Sequence, residues 1–106
     1  MAAVDAKAFA EGQVSDSLST IFTATAPVIL SPCSISFVNT SSTTQTLELY
    51  VNKGTSRLSH RWENMKQYHR RANDFVIVLE TGDTLEAVTT TASVVNYEVN
   101  GGEEVA

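Results

Sequence analysis

The sequence predicts an all-β domain, an antiparallel β-sandwich or jelly roll of about eight short strands. Three observations carry that prediction. Thr and Ser account for 13 and 11 of the 106 residues, and Thr together with Val favours the pleated, half-buried surface of a strand over a helix interior. Short apolar alternations recur along the chain and are broken by turn residues at close intervals, as in sandwiches and jelly rolls. No long stretch has a helical period, and no internal repeat is present.

Taken in order, residues 1–17 ("MAAVDAKAFAEGQVSDS") are Ala-rich and then polar, and read as an N-terminal arm that is neither helix nor strand. From Leu18 "LSTIFTAT" alternates weakly, and Pro27 and Pro32 punctuate the next stretch as edge segments and turns do. "CSISFVN" is the clearest strand, with Cys33, Ile35 and Phe37 on one face and Ser34 and Ser36 on the other. Cys33, the single cysteine, is therefore expected to be a buried structural thiol. "TSSTT" has turn chemistry, and residues 39–45 are short enough for a hairpin into "QTLELYVN", where Leu47, Leu49 and Val51 point inward and Thr46, Glu48 and Tyr50 outward.

"NKG" at 52–54 marks the next turn. "DFVIVLE" is apolar on both faces, so Val76 and Val78 require a cover from a second layer or a neighbouring subunit. "TGDT" closes it, with Gly82 free to take a positive φ. "LEAVTTT" and "SVVNYEVN" follow as two more strands, and residues 102–106 read as an acidic tail. The domain proper is thus 18–101. Its expected core is Ile35, Phe37, Leu47, Leu49, Ile77, Leu79, Leu85 and Val95.

A lone cysteine excludes an intramolecular disulfide. No apolar run has the length of a membrane span, and "MAAVDAKAFAEGQ" has acids where a secretory signal needs a basic flank, so a soluble protein made in the cytoplasm, with no membrane partner, is expected. The net charge of −5 hides an asymmetry. Six of the seven Lys and Arg residues fall between Lys53 and Arg71, whereas residues 72–106 hold seven acids and neither Lys nor Arg.

The basic island contains "HRWENMKQYHRR", residues 60–71. His60 and His69, with Glu63 between them, match no zinc spacing. Ser59 beside His60 does not single out a nucleophile in so Ser-rich a chain, and the five glycines are too scattered for a phosphate cradle. No catalytic, metal or cofactor site is assigned. Interleaved Arg, Lys, Trp and Tyr could hold phosphates and stack bases, but the acidic balance opposes a polyanion, and nucleic acid is not the expected partner. Two readings remain: a connection anchored by Leu58, Trp62 and Met65, or a protein-docking segment in which Arg57, Arg61, Trp62, Tyr68, Arg70 and Arg71 supply the interface, since Arg, Trp and Tyr dominate interface energetics. A basic island on an acidic protein can meet another copy of itself, so a homo-oligomer is expected.

The order "STIFTATAP", "SISFVNTSSTTQTLELYVNKG", "DFVIVLETGDTLEAV" and "ASVVNYEVNG", over residues 18–101, resembles the small β-sandwich virion proteins of tailed bacteriophages. In that group a strand ending in Asn precedes a Thr/Ser turn and "GDT" precedes the penultimate strand; here these are Asn39 and Gly82-Asp83-Thr84. The resemblance implies a non-enzymatic virion structural protein without cofactors, assembled in the host cytoplasm. A capsid cement (decoration) protein that bridges neighbouring coat subunits is the first expectation, with the major capsid protein or another virion protein as partner, and a tail or fibre-base component the alternative. From a different class comes a glycan-binding host-attachment module, with Trp62, Tyr68 and Tyr50 stacking on sugars. The segment 60–71 lies outside the resemblance.

Overall fold

The computed structural model describes residues 3–105, and the remaining residues 1, 2 and 106 of the expected arm and tail lie outside it. The described residues form ten strands: β1 (Ala3–Gln13), β2 (Ser19–Thr23), β3 (Val28–Leu30), β4 (Ile35–Asn39), β5 (Gln45–Asn52), β6 (Ser56–Met65), β7 (Arg70–Ala72), β8 (Ile77–Leu79), β9 (Thr84–Thr89) and β10 (Val95–Val105). They make two antiparallel sheets packed as a sandwich. Sheet A holds β1, β10, β3, β4, β7 and β8, and sheet B has the order β2-β9-β5-β6.

Ten strands follow eight paths. β1 occupies one edge of β10 along residues 96–105, so β4 and β3, which pair with residues 95–99 and 102–103, share the other edge end to end. β7 pairs with β4 and β8 with β3, and they too lie end to end. Sheet A thus has the path order β1, β10, β3/β4, β7/β8. Lettered B to I along the chain, the two sheets read B-I-D-G and C-H-E-F, which is the two-Greek-key order of a jelly roll. The expected count of eight was short because each of two paths is broken once.

Asn73 fills that break. Its side chain is fully buried, accepts from the Ile35 N–H at 2.9 Å and donates to the Ser31 and Phe75 carbonyls at 3.0 Å each. These bonds stand in for ladder bonds that the interruption removes, as buried backbone groups require partners. The chain reaches the break through a turn, with Ser34 N bonded to Ser31 O and Cys33 at φ 70°. That left-handed residue reverses the alternation. Cys33 is exposed, and the expected buried thiol is corrected.

The core lies between the sheets. Ile35, Phe37, Leu47, Leu49, Ile77, Leu79, Leu85 and Val95 are all buried, as their alternation predicts. Each full burial of a Leu, Ile or Phe is worth roughly 1.5–3 kcal/mol. Val28, Leu30 and Val99 extend this layer across sheet A, and Ile21 and Ala87 extend it across sheet B.

Four further expectations are corrected. Residues 3–13 are a paired strand, not a structureless arm, and β10 runs through the expected tail. β1 escapes a pattern search because its inward positions are small: at Gly12 a Cβ would come within 2.9 Å of the Tyr97 hydroxyl, which lies across it. A bulge between Ala8 and Ala10 then turns Phe9 inward onto Phe22, ring centroids 4.9 Å apart. Residues 39–45 do not form a hairpin, because β4 belongs to sheet A and β5 to sheet B. Asn39 holds that crossing: buried, it donates to the Thr43 and Met65 carbonyls at 2.9 and 2.8 Å and accepts from Ser41 N at 2.9 Å. Leu58 is half exposed and does not anchor β6, whereas Met65 is buried and Trp62 packs on the core.

Candidate functional site

The segment 57–71 is the crossing from sheet B to sheet A: the length of β6, a turn at 66–69, then β7. β6 is an edge strand with two register shifts against β5. Ser59 is skipped between the pairs Leu49–His60 and Tyr50–Leu58, and the second shift falls between Trp62 and Met65, where Asn64 sits at φ 53°. Bulges on an edge strand re-aim its side chains and discourage pairing with another chain.

The six residues expected to dock are accordingly divided. Arg61 lies on the outer face of sheet B, where Nη1 reaches Glu48 Oε2 at 2.7 Å and Nε reaches Glu63 Oε1 at 3.1 Å. Those hydrogen bonds, to Glu48 first, raise its pKa further above the ordinary guanidinium value. Glu48 also accepts from the Tyr50 hydroxyl at 3.1 Å, a bond that raises the phenol's pKa. Trp62 faces inward, 5.8 Å between centroids from Phe37. Tyr68 stands on the 66–69 turn with 73% of its surface exposed and φ 63°. Arg70 lies over the outer face of sheet A, with Nη1 on Ser36 Oγ at 3.0 Å. Arg71 is half-buried beside it, its Nη1 donating to the Arg70 carbonyl, and Arg57 is exposed at the far end of β6. Trp62, Tyr68 and Tyr50 point in three directions and form no aromatic row.

Between the sheets the segment makes a closure that the sequence reading missed. His60 stacks on Trp62 and on Phe75, with centroids 5.0 and 4.8 Å away and interplanar angles of 21° and 16°. Its Nε2 meets Asp74 Oδ1 at 2.9 Å and its Nδ1 meets Ser59 Oγ at 2.8 Å. An ionised Asp74 can only accept, so Nε2 carries the proton, and a neutral ring then accepts the Ser59 hydroxyl at Nδ1. The bond from His60 lowers the Asp74 pKa below its ordinary value. Ser59, His60 and Asp74 follow the order of a hydrolase relay, yet the imidazole is only 8% exposed and covered on both faces by rings. Among the described residues no three His, Cys, Asp or Glu side chains are grouped to hold a metal ion.

The outer face of sheet A has a different character. Paired positions place Ala6, Gly102, Ile29 and Val78 in one row across the four paths. Glu11, Glu98, Ser36 and Ala72 make a second row, and Gln13, Asn96, Val38 and Arg70 a third. Ile29 and Val78 are each 44% exposed. Beside them Ala6, Ala8, Asn100 and Gly102 floor a shallow hollow of about 610 Å³. Comparison of the chain with protein-family models, with curated proteins and with solved structures returned no match.

Proposed function

We propose that this protein is a non-enzymatic structural component of a bacteriophage virion, a cement protein that binds an assembled capsid and bridges adjacent coat subunits. The observation that carries this reading is the outer face of sheet A, a broad sheet surface with an exposed aliphatic row and charged side chains that lack ion-pair partners among the described residues. Exposed faces of that kind mark contact with another macromolecule. Jelly rolls of this strand order occur in viral capsid domains, and also in lectins and cupins, so the topology supports the reading without deciding it. The order of motifs over residues 18–101 supports the virion assignment.

In this reading His60, Trp62 and Phe75 close one edge of the sandwich, and Ser59 orients the ring instead of acting as a nucleophile. Contact with the coat falls to side chains spread along the crossing from β6 to β7: Arg57 at the start of β6, Lys66 and Tyr68 on the turn, and the half-buried Arg71 on β7. An Arg fork pairs with carboxylates in two parallel bonds, and many modest contacts on one particle combine into high avidity. Such pairs are screened by salt, so attachment weakens as ionic strength rises.

Electron microscopy of purified particles tests the proposal. The expected result is the chain at fixed, repeated positions on the capsid, released when Arg57 and Arg71 are both replaced by Glu. Density at the tail or fibre base would move the assignment to that part of the particle, and particles that lack the chain would overturn it.

A further inference from the structure

We propose that two copies of this protein stack through the outer faces of sheet A, about a two-fold axis that runs parallel to the strands. The inference deepens the multi-copy part of the proposed function, but it concerns the free protein and needs no particle.

One pair on the outer face of sheet A is unfavourable. Glu11 and Glu98 lie directly opposite each other on β1 and β10, and like charges in that position repel. Neither has an ion pair among the described residues. Two paths away Arg70 folds over Ser36, the residue paired with Glu98, and it too lacks an ion pair there. The face is therefore negative toward β1 and positive toward β7.

An isologous contact uses the same patch twice, so the patch must complement itself. Two in-plane axes can lay this sheet on itself. An axis across the strands sets Arg70 on Val78 and Glu11 on Ala8, which buries charge against aliphatic groups. An axis along the strands, between β10 and β3/β4, sets β1 of one copy on β7/β8 of the other and keeps each row at its own height. Glu11 and Glu98 then face Arg70 of the second copy, while Ala6 and Gly102 face its Val78 and Ile29. Two large aliphatic side chains enter the hollow floored by small residues, and the opposed carboxylates gain a guanidinium. The charge pattern and the relief of the surface select the same axis.

Size sets the strength. Four paths about 4.8 Å apart and about seven residues at about 3.4 Å each give a face of roughly 450 Å². A standard interface takes about 800 Å² from each partner. The contact is thus weak in dilute solution and favoured where copies are crowded on a surface.

Sedimentation velocity between about 1 and 500 µM tests the inference, and the expected result is a concentration-dependent monomer–dimer equilibrium. Arg70→Glu and Glu98→Arg should each raise the dissociation constant about tenfold or more, and the double variant should return it toward the parent value. Ile29→Asp should abolish the dimer with unfolding unchanged, since that side chain faces solvent in the monomer. A chain that stays monomeric across the range, or a dimer that both single reversals leave intact, overturns the inference. Attachment to particles is read separately, so a failed dimer and a failed virion assignment are distinguishable.

Discussion

The outer faces of both sheets carry charges of either sign and use them oppositely. On sheet B, Arg61 is held by Glu48 and Glu63, Tyr50 donates to Glu48, and Ser56 and Asn52 both donate to Glu86. On sheet A, Glu11 opposes Glu98, Arg70 reaches only a serine, and Ile29 and Val78 stand in solvent. On sheet B the charges are met within the chain, with Leu58 half exposed beside Tyr50; on sheet A charged groups and an aliphatic row are both left over. The difference teaches that a basic residue points to a partner only when the fold does not already supply one. Arg61 and Arg70 look alike in the sequence, and strand register separates them.

The largest effect should come from the layer common to both faces. Phe37 is fully buried in sheet A under Trp62 of sheet B, and Phe37→Ala should cost about 3–5 kcal/mol in chemical unfolding. Both faces should fail together in that variant. An unfolding midpoint equal to the parent's would mean that the sheets are not packed in this phase.

Asn73→Ala should come next and should act on sheet A first. It leaves the Ile35 N–H and the Ser31 and Phe75 carbonyls without their partner. Each unsatisfied buried group costs about 1–3 kcal/mol, less where water can enter, so a loss of roughly 3 kcal/mol is expected. Amide hydrogen exchange should accelerate at Ile35 and Ala72 before it does in β5 and β9. Uniform acceleration would show that the break is not a local joint.

These two residues also mark how far the sequence can be read. Phe37 was legible because burial on one face of a strand imposes a period of two, and all eight expected core residues obey it. The turn at Gly82 was legible as well, since positive φ favours glycine there. Asn73 was not, because a polar residue in a polar stretch carries no mark of burial. Cys33 misled because a single left-handed residue cancels alternation. The arginines scattered because the bulge at Ser59 resets the faces between Arg57 and Arg61 and because the chain crosses to the other sheet before Arg70 and Arg71, and nothing in the composition announces either event. β1 was hidden by small inward residues, which leave room for Tyr97 and so remove the apolar signal that would have revealed the strand.

A matched pair of reversals tests the comparison directly. Arg61→Glu breaks two ion pairs on the satisfied face, so thermal stability should fall slightly while self-association stays unchanged. Arg70→Glu should do the reverse, with stability nearly constant and association lost. If Arg61→Glu abolished association and Arg70→Glu did not, the roles of the two faces would be exchanged.

The smallest effect belongs to the edge that joins the faces. Asp74 is largely exposed and is held below its ordinary value, near 3.8, by the bond from His60. A carboxylate with a depressed folded-state pKa binds fewer protons folded than unfolded at acidic pH, so its contribution is fully present above the unfolded value and disappears as pH falls through the folded one. Asp74→Asn keeps an acceptor for the imidazole N–H but cannot titrate. The difference in Tm between parent and variant should therefore be constant above about pH 5 and should shrink below about pH 4, as protonation removes the parent's advantage. That decline spans the interval between the unfolded and the folded pKa of Asp74. A difference that is flat down to about pH 2 would mean that the carboxylate is not bonded to His60, and that the rings of Trp62 and Phe75 alone hold this edge of the sandwich shut.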